Sequence, residues 1–523
     1  MTAAALSIPQ DRYRFKYLIA ITVSLASVLE LLDTSIVNVA IPHMMGNLGA
    51  TLDQIAWVST GYIVANVIVL PITGWLSAYF GRRSYFAGSI ALFTVASFMC
   101  GNAGSLEALV IWRIIQGLGG GALLSTSQAI LYEEFPREEY GTAMAIFGVG
   151  VMVGPTLGPT VGGWITDTYG WPWIFYINIP FGMLALALTL SFINDSEHQE
   201  RVTRVDWLGL GLLAIGIGAL QTMLERGERL DWFESGQVRL LAFASGFSLI
   251  TFIWHELRTA HPVVDLRILK SRQLAVGVVY GLVLGVCLYA TVFVLPVYLQ
   301  NVQNFTANQT GLVILPGALA SAFTMAFMGR LQGKFDARIS IAAGVGIFAL
   351  SMWKHAHFTT QSGFHDFFWP LILRGVGLGL IFVPLTNLAL ADLPMSRIPN
   401  GTGLFNLMRQ LGGSVGIALS ATLLQRFTAI HRAELAANVT PFSEATRERI
   451  AMITQALVAR GELPAMAQTK AIGFLNGIVT KQAMMMSFEQ LFLLFGAAFV
   501  CSLPLLLLMH KSKGMPGGGA AAH

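Results

Sequence analysis

Two carboxylates, Glu30 and Asp33, stand in the first long apolar segment of the chain. Three residues apart, they lie on one face of a helix, about one turn from each other. Ionisable groups at bilayer depth are costly and usually face a cavity, so a functional role is the first hypothesis for both. A carboxyl group in a low dielectric can load and release a proton near neutral pH. The alternative is structural, with Glu30 permanently protonated and Asp33 as its partner.

Arg113 is the expected counterion of Asp33. It stands in the fourth apolar segment, where it shares a helical face with Gln116 and with two glycines. An arginine stays charged at any relevant pH, so Arg113 would hold Asp33 ionised until a proton or a substrate intervenes. With Asp33 paired in this way, Glu30 becomes the better proton carrier. The alternative places Arg113 at the membrane edge, with its guanidinium extended towards water.

The second half of the chain contributes further polar residues. Arg409, within the apolar stretch FNLMRQLGGSVG, is the most prominent intramembrane cation there. For Arg374, a cavity role and an anchor at the end of a span both remain open. We predict a substrate cavity lined by Gln116, Asn38, Arg409, Asn406 and Asn387.

The composition explains why these charged residues are informative. Of the 523 residues, 54% are hydrophobic and only 11% are charged, against roughly 25% charged in an average soluble protein. Apolar segments of about 20 residues, the length that crosses a bilayer, recur along the chain. The first is too long for a cleaved signal peptide, so we expect it to be retained. We predict about fourteen spans, at residues 17–41, 54–78, 84–104, 106–132, 141–165, 172–193, 206–224, 238–255, 274–299, 309–332, 338–354, 367–391, 401–427 and 487–509.

Several other chemistries lack the residues that they need. Lys334 follows a lone glycine and not a GxxxxGK[ST] loop, so ATP is not the expected energy source. His355 and His357 are expected in a loop without further ligands nearby, and the three cysteines lie far apart, so we predict no metal site and no disulfide framework. Basic residues form no continuous stripe, which argues against nucleic acid as a ligand. No catalytic set emerges, and neither enzyme activity nor a cofactor is predicted.

Basic residues are distributed unevenly over the short connections. If both chain ends are cytoplasmic, the cytoplasmic connections hold most of the arginines and lysines. The opposite short connections hold little beyond Arg226, Arg229, Arg239 and Lys354. Cytoplasmic loops of membrane proteins carry the excess of basic residues, so this orientation is predicted.

The two ends of the chain repeat each other. Three matches occur in the same order: GWLSAYFGRRSYF at 74–86 with GRLQGKFDARISI at 329–341, Arg113 with Arg374, and Gly141-Thr142 with Gly401-Thr402. Parallel repeats of this kind mark secondary transporters, whose substrate site lies near the bilayer midplane between the repeats. We therefore predict two six-helix halves, with spans seven and eight inserted between them.

The fifth span carries a small residue at every fourth position, with two prolines beside the stripe. Such a stripe lets another helix approach closely, and prolines bend the span. We expect these residues to shape a conformational cycle without touching solute, with a purely structural packing role as the alternative for any single glycine. They are Gly150, Gly154, Gly158, Gly162, Pro155 and Pro159.

Five motifs stand in order along nearly the whole chain. They are LDTSIVNVAIP at 32–42, GWLSAYFGRR at 74–83, WRIIQGLGGGALLS at 112–125, GVGVMVGPTLGPTVGGWI at 148–165 and WPWIFYINIPFG at 171–182. Together they resemble the major facilitator superfamily and, within it, the fourteen-helix drug:proton antiporters of the EmrB/QacA type. The resemblance implies a cavity role for Arg113 and a conformational role for the loop after span two, with Gly74, Gly81, Arg82 and Arg83. Members usually carry an aspartate in that loop where this chain has Ala78, so a charge relay through that acid is not expected.

These observations predict an all-α integral membrane protein with the major facilitator fold. The predicted parts are an N-terminal six-helix half at 1–195, two inserted helices with flanking loops at 196–270, a C-terminal six-helix half at 271–510 and a flexible tail at 511–523. The expected function is proton-coupled export of amphipathic or lipophilic compounds by alternating access, from a bacterial inner membrane. A dedicated exporter of one metabolite, fatty acid or siderophore is the alternative, and a membrane enzyme or receptor is a remote one. The expected partners are small amphipathic substrates, protons and the lipid bilayer.

One long connection, at 431–486, follows the thirteenth span and is expected on the outer side. Thr440-Pro441 predicts a helix start, and Gly461 followed by Pro464 predicts a stop and a restart, so we expect a helical hairpin. Its apolar stripe either packs within the hairpin or also offers a docking surface. Relatives of this type in two-membraned bacteria work with a periplasmic adaptor and an outer-membrane channel, which makes these candidate partners by resemblance.

Overall fold

The computed structural model describes residues 15–196, 205–331 and 335–510, in which all the regular secondary structure is helical. The first half of the chain contains α1 Lys16–Leu48, α2 Leu52–Phe80, α3 Arg82–Gly101, α4 Leu106–Glu134, α5 Tyr140–Tyr169, α6 Trp173–Tyr176 and α7 Asn178–Phe192. The remaining helices are α8 Trp207–Arg226, α9 Gly236–Glu256, α10 Arg272–Asn301, α11 Ala307–Leu331, α12 Ala337–His355, α13 Phe364–Leu390, α14 Ile398–Ala437, α15 Glu444–Ala459, α16 Pro464–Cys501 and α17 Leu503–Leu507.

The number of spans agrees with the sequence. Among the described residues, thirteen helical segments are long and apolar enough to cross a membrane, with α6 and α7 together forming one of them. Helix α5 is the fourteenth, bent by 42° near Pro155. A proline removes one backbone hydrogen bond and clashes with the preceding turn, which is the physical cause of such a bend. The predicted all-α fold with about fourteen spans is confirmed.

Local sequence signals set the ends of several helices. Helix α1 stops at Gly49, whose φ of 61° is the left-handed conformation that glycine adopts at low cost. Helix α2 begins with a capping box, in which Thr51 and Gln54 bond each other's backbone amides. Helix α4 begins at the Ser105 side chain, which accepts from the backbone amide of Ala108. These caps satisfy backbone groups at the short connections on either side of α2 and α4.

The helices form two packed groups with a pair of helices beside them. In the first group α1 packs on α5 and α2 on α4, and in the second α10 packs on α14 and α11 on α13. The groups meet along α5 with α11 and along α2 with α14. Helices α8 and α9 pack on each other, and α8 also contacts both α2 and α14. We call the face where α1 begins and α17 ends the terminus face, and the opposite face, which carries α15, the hairpin face.

The glycine stripe of α5 faces α1, as the prediction of close helix approach requires. A Cβ atom on Gly154 would lie 2.8 Å from the Cβ of Leu31, and one on Gly158 would lie 2.7 Å from the Cβ of Ser35. The Ser35 hydroxyl also donates to the backbone oxygen of Gly154 at 3.3 Å. Only glycine permits this separation of the two backbones. The position of α1, which carries both carboxylates, is thus set by α5.

The long outer connection differs from its prediction in its boundaries. A helical hairpin is present, with a break between Ala459 and Pro464 as predicted. However, α14 continues to Ala437, and α16 runs without interruption from Pro464 to Cys501. The second helix of the hairpin and the last predicted span thus form one continuous helix. The boundary at 486 between the outer connection and the last span stays a prediction, because an α-helix keeps the same backbone hydrogen bonds on both sides of such a boundary.

Candidate functional site

An ion pair buried between α1 and α4 forms the centre of the site. Arg113 Nη1 donates to Asp33 Oδ2 at 2.5 Å, and both side chains are almost fully buried, at 1% and 0% exposed. Gln116 closes the arrangement, because its Nε2 donates to Asp33 Oδ1 at 2.9 Å while its Oε1 accepts from Arg113 Nη1 at 2.8 Å. The structure therefore brings together three residues that the sequence predicted, and the reading of Arg113 as a membrane-edge residue is wrong.

Helices α7 and α2 contact this ion pair, and α3 supports it through Ser97. Asn178, on α7, donates from Nδ2 to Asp33 Oδ1 at 2.9 Å and to Ser97 Oγ at 3.0 Å. Arg113 Nε donates to the backbone oxygen of Val58 on α2 at 3.1 Å. The guanidinium also lies 4.1 Å from the centre of the Tyr62 ring, a cation–π arrangement. Buried charges are tolerated only when they are paired and hydrogen-bonded, and here five helices supply the partners.

Glu30 lies one helical turn from Asp33 but has different neighbours. Asn66 on α2 donates from Nδ2 to Glu30 Oε1 at 2.9 Å. The other carboxyl oxygen, Oε2, is buried and has no hydrogen-bond partner among the described residues. Arg409, from the second group of helices, lies within electrostatic range of this carboxyl. Asp33 is therefore compensated inside the first group, whereas Glu30 faces the boundary between the two groups.

Arg409 belongs to a polar cluster that joins the two groups. Its Nη2 donates to Asn406 Oδ1 at 3.1 Å, while Nε and Nη1 are buried without partners in the described structure. Asn406 Nδ2 in turn reaches α4, where it donates to Gln128 Oε1 at 2.6 Å and to Ser125 Oγ at 3.2 Å. These contacts place two predicted cavity residues at a contact surface between the groups, beside the Glu30 carboxyl.

The groups are closed against each other towards the terminus face. Tyr132, near the end of α4, donates to Asn387 Oδ1 near the end of α13 at 2.6 Å. Asn387, predicted to line the substrate cavity, is thus engaged in a contact between the groups. Asn38 lies further along α1 towards the hairpin face, where it is exposed and accepts from Ser59 Oγ at 3.2 Å. Asn38 is thus not brought together with Arg409, Asn406 and Asn387, the other predicted cavity residues on the boundary between the groups.

The loop after α2 is anchored by acids from elsewhere in the chain. Arg82 is 2% exposed and pairs with Glu133 and, at 3.1 Å, with Glu134, both at the end of α4. The backbone amide of Arg83 donates to Asp195 Oδ1 at 3.0 Å. Gly81, with φ of 85°, adopts a conformation that side chains disfavour. Arg82 is therefore paired with acids of α4, although the chain has Ala78 in place of the family's usual aspartate.

The two groups also approach each other closely at Gly74 on α2. A Cβ atom there would lie 2.9 Å from the backbone nitrogen of Asn400, next to the start of α14. Such close approach explains the glycine of this motif by packing. The motif thus joins the terminus-face ends of α2, α4 and α14.

Two predictions on basic residues need correction or sharpening. His355 does not lie in a loop but is the last residue of α12, 1% exposed, with its Nδ1 2.7 Å from the backbone oxygen of Ser351. Arg374 is not an anchor at the end of a span, because it lies inside α13 and is 7% exposed. Hydropathy alone could not locate either residue, because it describes a whole apolar segment and not the depth of one basic residue within it.

Three amides of the site were missed from the sequence. Asn178, Asn66 and Gln128 are 0%, 2% and 0% exposed. They bond Asp33, Glu30 and Asn406 in that order, which are all residues that the sequence had predicted. The available signal was the type of residue, because an uncharged amide inside an apolar span must find a partner when it is buried. Asn178 stands inside the motif WPWIFYINIPFG, where only its position in the pattern was used.

Comparisons with known proteins agree with this architecture. A model of the Major Facilitator Superfamily matches residues 23–417. The fatty acid resistance protein FarB of Neisseria gonorrhoeae is 34% identical over 96% of this chain and 97% of its own. The multidrug export protein EmrB of Escherichia coli strain K12 is 34% identical over 97% of this chain and 98% of its own.

A solved structure shows the same fold. The human organic anion transporter MFSD10 (TETRAN) superimposes with a TM-score of 0.58, covering 94% of this chain and 100% of its own, at 13% identity. Such low identity supports the fold and not the substrate. Since the family model covers most of the chain and the bacterial relatives align along nearly their whole length, this protein belongs to the Major Facilitator Superfamily, in the group of EmrB-type transporters.

Proposed function

We propose that this protein is a proton-coupled exporter, which exchanges an inward proton for an outward amphipathic compound by alternating access. The observation that carries the proposal is the buried Asp33–Arg113 pair, with the Glu30 carboxyl one turn away and only half satisfied. Ionisable residues kept at bilayer depth in a transporter serve proton or substrate pathways. The names of the bacterial relatives, an export protein and a resistance protein, point the same way.

The charges of the site explain how proton binding is coupled to transport. A proton on Asp33 removes the negative charge that compensates Arg113, so the attraction between α1 and α4 weakens. Asn178 and Gln116 still bond the neutral acid, which keeps the local structure intact while α1 is released to move along the glycine stripe of α5. Because α5 is bent and packs on both α1 and α11, that movement reaches the contact between the groups. A bistable packing of this kind is what a proton can switch.

Glu30 has a second role in this scheme, at the boundary between the groups. Its negative form attracts Arg409 of the opposite group and favours the closed contact that runs through Asn406 and Gln128. Its protonated form does not. Proton loading at Glu30 therefore favours separation of the groups on this side, which is the step that alternating access requires.

Transport measured in proteoliposomes tests the proposal. Full-length protein is reconstituted, a proton gradient is imposed, and the movement of a fluorescent cationic dye is followed together with internal pH. We expect dye movement against its gradient that stops when an uncoupler removes the proton gradient. Dye movement that is indifferent to the uncoupler would show that the protein is not proton-coupled.

The rival function, a dedicated exporter of one compound, is favoured by one specific observation, the relative named for fatty acid resistance. Competition between substrates distinguishes a multidrug exporter from a dedicated one. A multidrug exporter lets chemically unrelated amphiphiles inhibit dye transport, because flexible apolar surfaces accommodate varied shapes. A dedicated exporter responds to one chemical class only.

The proposal also includes orientation and location. We place both chain ends in the cytoplasm and the hairpin face on the outer side of a bacterial inner membrane, from the distribution of basic residues. The division into parts at 1–195, 196–270 and 271–510 belongs to the same proposal. Reporter fusions at the C-terminus and within 438–443 test the orientation, since each reporter is active on one side of the membrane only.

The hairpin is proposed as the contact site for a periplasmic adaptor, which would connect the exporter to an outer-membrane channel. Several large apolar side chains are exposed there, among them Phe442 at 91% and Leu463 at 68%. Phe442 lies in the connection between α14 and α15, and Leu463 lies in the connection between α15 and α16. Exposed apolar patches beyond the membrane mark interaction surfaces.

Serine substitution of Phe442 and Leu463 tests the adaptor contact. Both residues lie outside the spans, so the double variant should transport normally in proteoliposomes but lose resistance in whole cells that contain an adaptor. A matched control replaces Leu508, which lies at the terminus face, by serine and should keep resistance. Full resistance in the hairpin variant would contradict the docking proposal.

A further inference from the structure

A pocket lies between the two groups of helices, on the side of α13. Helix α5 of the first group and helices α10, α11 and α13 of the second group form its walls, and it encloses about 560 Å³ of empty space, including the part open to solvent. The lining is mostly apolar. The largest apolar side chains in it are Val151, Met152, Pro155, Leu288, Val292 and Leu378.

Arg374 is the charged residue of this pocket, and it has no counterion in the part of the chain that the structure describes. It is 7% exposed, and its Nε is buried without a hydrogen-bond acceptor among the described residues. Within the described ranges no carboxylate pairs with the guanidinium or acts on it, and the titratable neighbour that senses it is His355, another base. A buried guanidinium without a partner is costly, and more so at bilayer depth, so packing alone does not explain this arginine.

Ser321 supplies a second unused donor in the same pocket. It is 2% exposed, and its Oγ has no partner in the described structure. Helices α11 and α13 touch here: a Cβ atom on Gly375, next to Arg374, would lie 2.9 Å from the backbone nitrogen of Ser321. The close contact of the two backbones holds the serine and the arginine at the same level of the pocket. Tyr289 adds a hydroxyl from α10, which donates to Gln410 at 3.4 Å.

We propose that this pocket binds the anionic headgroup of an amphipathic carboxylate, with Arg374 and Ser321 donating to the carboxylate oxygens and the apolar walls holding the aliphatic chain. The proposal rests on the exporter function proposed above and narrows its substrate class. The guanidinium fork matches a carboxylate in a bidentate geometry, and charge-assisted hydrogen bonds are the strong ones. Such a ligand supplies the missing counterion, whereas a neutral amphiphile of the same length does not.

Binding of dodecanoate and of dodecanol to the purified full-length protein tests the proposal. The two ligands share their chain and differ in the charged headgroup. We expect the wild-type protein to prefer dodecanoate, and Arg374→Gln to reduce that preference roughly tenfold or more, the scale of a lost hydrogen bond to a charged group. Arg374→Lys keeps the charge without the fork and should lose less. Ser321→Ala, a small change with little risk to folding, should weaken dodecanoate binding and spare dodecanol.

Matched controls make the outcome decisive. Arg426→Gln makes the same chemical change at an exposed position of α14 outside the pocket and should leave the preference unchanged. Equal loss of both ligands in Arg374→Gln, or an unchanged preference in Arg374→Gln and Ser321→Ala, would overturn the proposal. Displacement by phosphatidylglycerol but not by dodecanoate would also overturn it, by assigning the pocket to a lipid. A wild-type protein that exports the cationic dye with proton coupling but does not bind dodecanoate refutes this proposal alone and leaves the exporter function standing.

Discussion

Arg113 and Arg374 occupy corresponding positions in the two repeats of the chain, yet their surroundings are opposite. Arg113 bonds Asp33, Gln116 and a backbone oxygen, with an aromatic ring over its guanidinium. Arg374 has none of these partners and faces a pocket. One arginine is part of a closed polar network within its own half, and the other is available to a ligand.

The difference shows how duplicated halves divide the work of transport. The backbone arrangement was repeated, including the glycines after each arginine, because helix packing depends on it. The buried carboxylates Glu30 and Asp33 lie in the first half of the chain, and the buried cations Arg374 and Arg409 lie in the second. Our proposals place proton chemistry in the first half and anion recognition in the second, and the four predictions below test this division.

The largest effect is expected for Asp33→Asn, which makes Arg113 as uncompensated as Arg374. The amide keeps the shape of the carboxyl group but cannot neutralise the guanidinium. Proton-driven export in proteoliposomes should fall by about 100-fold or more, the scale of a broken buried ion pair. Immunoblots of membranes should show the normal amount of protein. Undiminished export would remove Asp33 from the mechanism.

The two arginines should differ in their contribution to stability. Arg113→Gln leaves the Asp33 carboxylate buried without its partner, and we expect it to cost about 3–5 kcal/mol in the free energy of unfolding. Arg374→Gln removes a charge that has no partner and should change stability by less than about 1 kcal/mol, or raise it. Thermal unfolding of both purified variants in one detergent gives the comparison. Equal destabilisation would show that Arg374 has a partner as strong as that of Arg113.

A change on the face of α5 that packs on α1 acts first on the Arg113 site, although the neighbouring Pro155 lines the pocket of Arg374. Gly154→Ala places a Cβ 2.8 Å from the Cβ of Leu31, so α1 must shift relative to α4. Overpacking of this kind costs about 1–3 kcal/mol, and we expect export to slow while dodecanoate binding at Arg374 is retained. Gly88→Ala is the control, because no atom lies within 4 Å of its added Cβ. Loss of dodecanoate binding in the Gly154 variant would mean that the two sites are not separate.

The smallest effect is expected for Glu30→Gln, and it should depend on pH. Glutamine resembles the protonated acid, so the variant should match the wild type at the acidic end of the range and diverge at the alkaline end, where Glu30 would lose its proton. Export of a cationic and a neutral substrate is measured across that range. Glu107→Gln, at an exposed position of α4, is the control. A pH profile that is unchanged for both substrates would exclude Glu30 from proton coupling.

Much of the architecture was accessible from the sequence because it depends on local composition. The apolar segments predicted all fourteen spans, and the stripe from Gly150 to Gly162 predicted a close helix contact that the structure places between α5 and α1. The pairing of Asp33 with Arg113 was also predicted, because each charge is costly alone within the membrane.

Other features were not accessible, for physical reasons. Asn66 and Asn178 are single amides in apolar runs, and nothing local states which helix they will meet. The sequence did not indicate that the outer connection and the last span share one helix, α16, since a helix that passes from lipid into water keeps the same backbone bonds on both sides. His355 was expected in a loop because its neighbours are polar, yet it is buried at a helix end against Phe358 and Phe492.

The sequence by itself determined that the chain crosses a membrane many times, that its halves are repeats, and that both repeats carry an arginine at the same place, because these properties follow from hydropathy and from residues in register. The tertiary structure shows the contact of Arg113 with Asp33 that the sequence predicted, and it alone decided that Arg374 has no carboxylate partner among the described residues. Asp33 and Arg113 are 80 residues apart, and their contact depends on how α1 packs against α4, α5 and α7. The strength of a charge in a membrane depends on what surrounds it, and that environment is a property of the assembled helices.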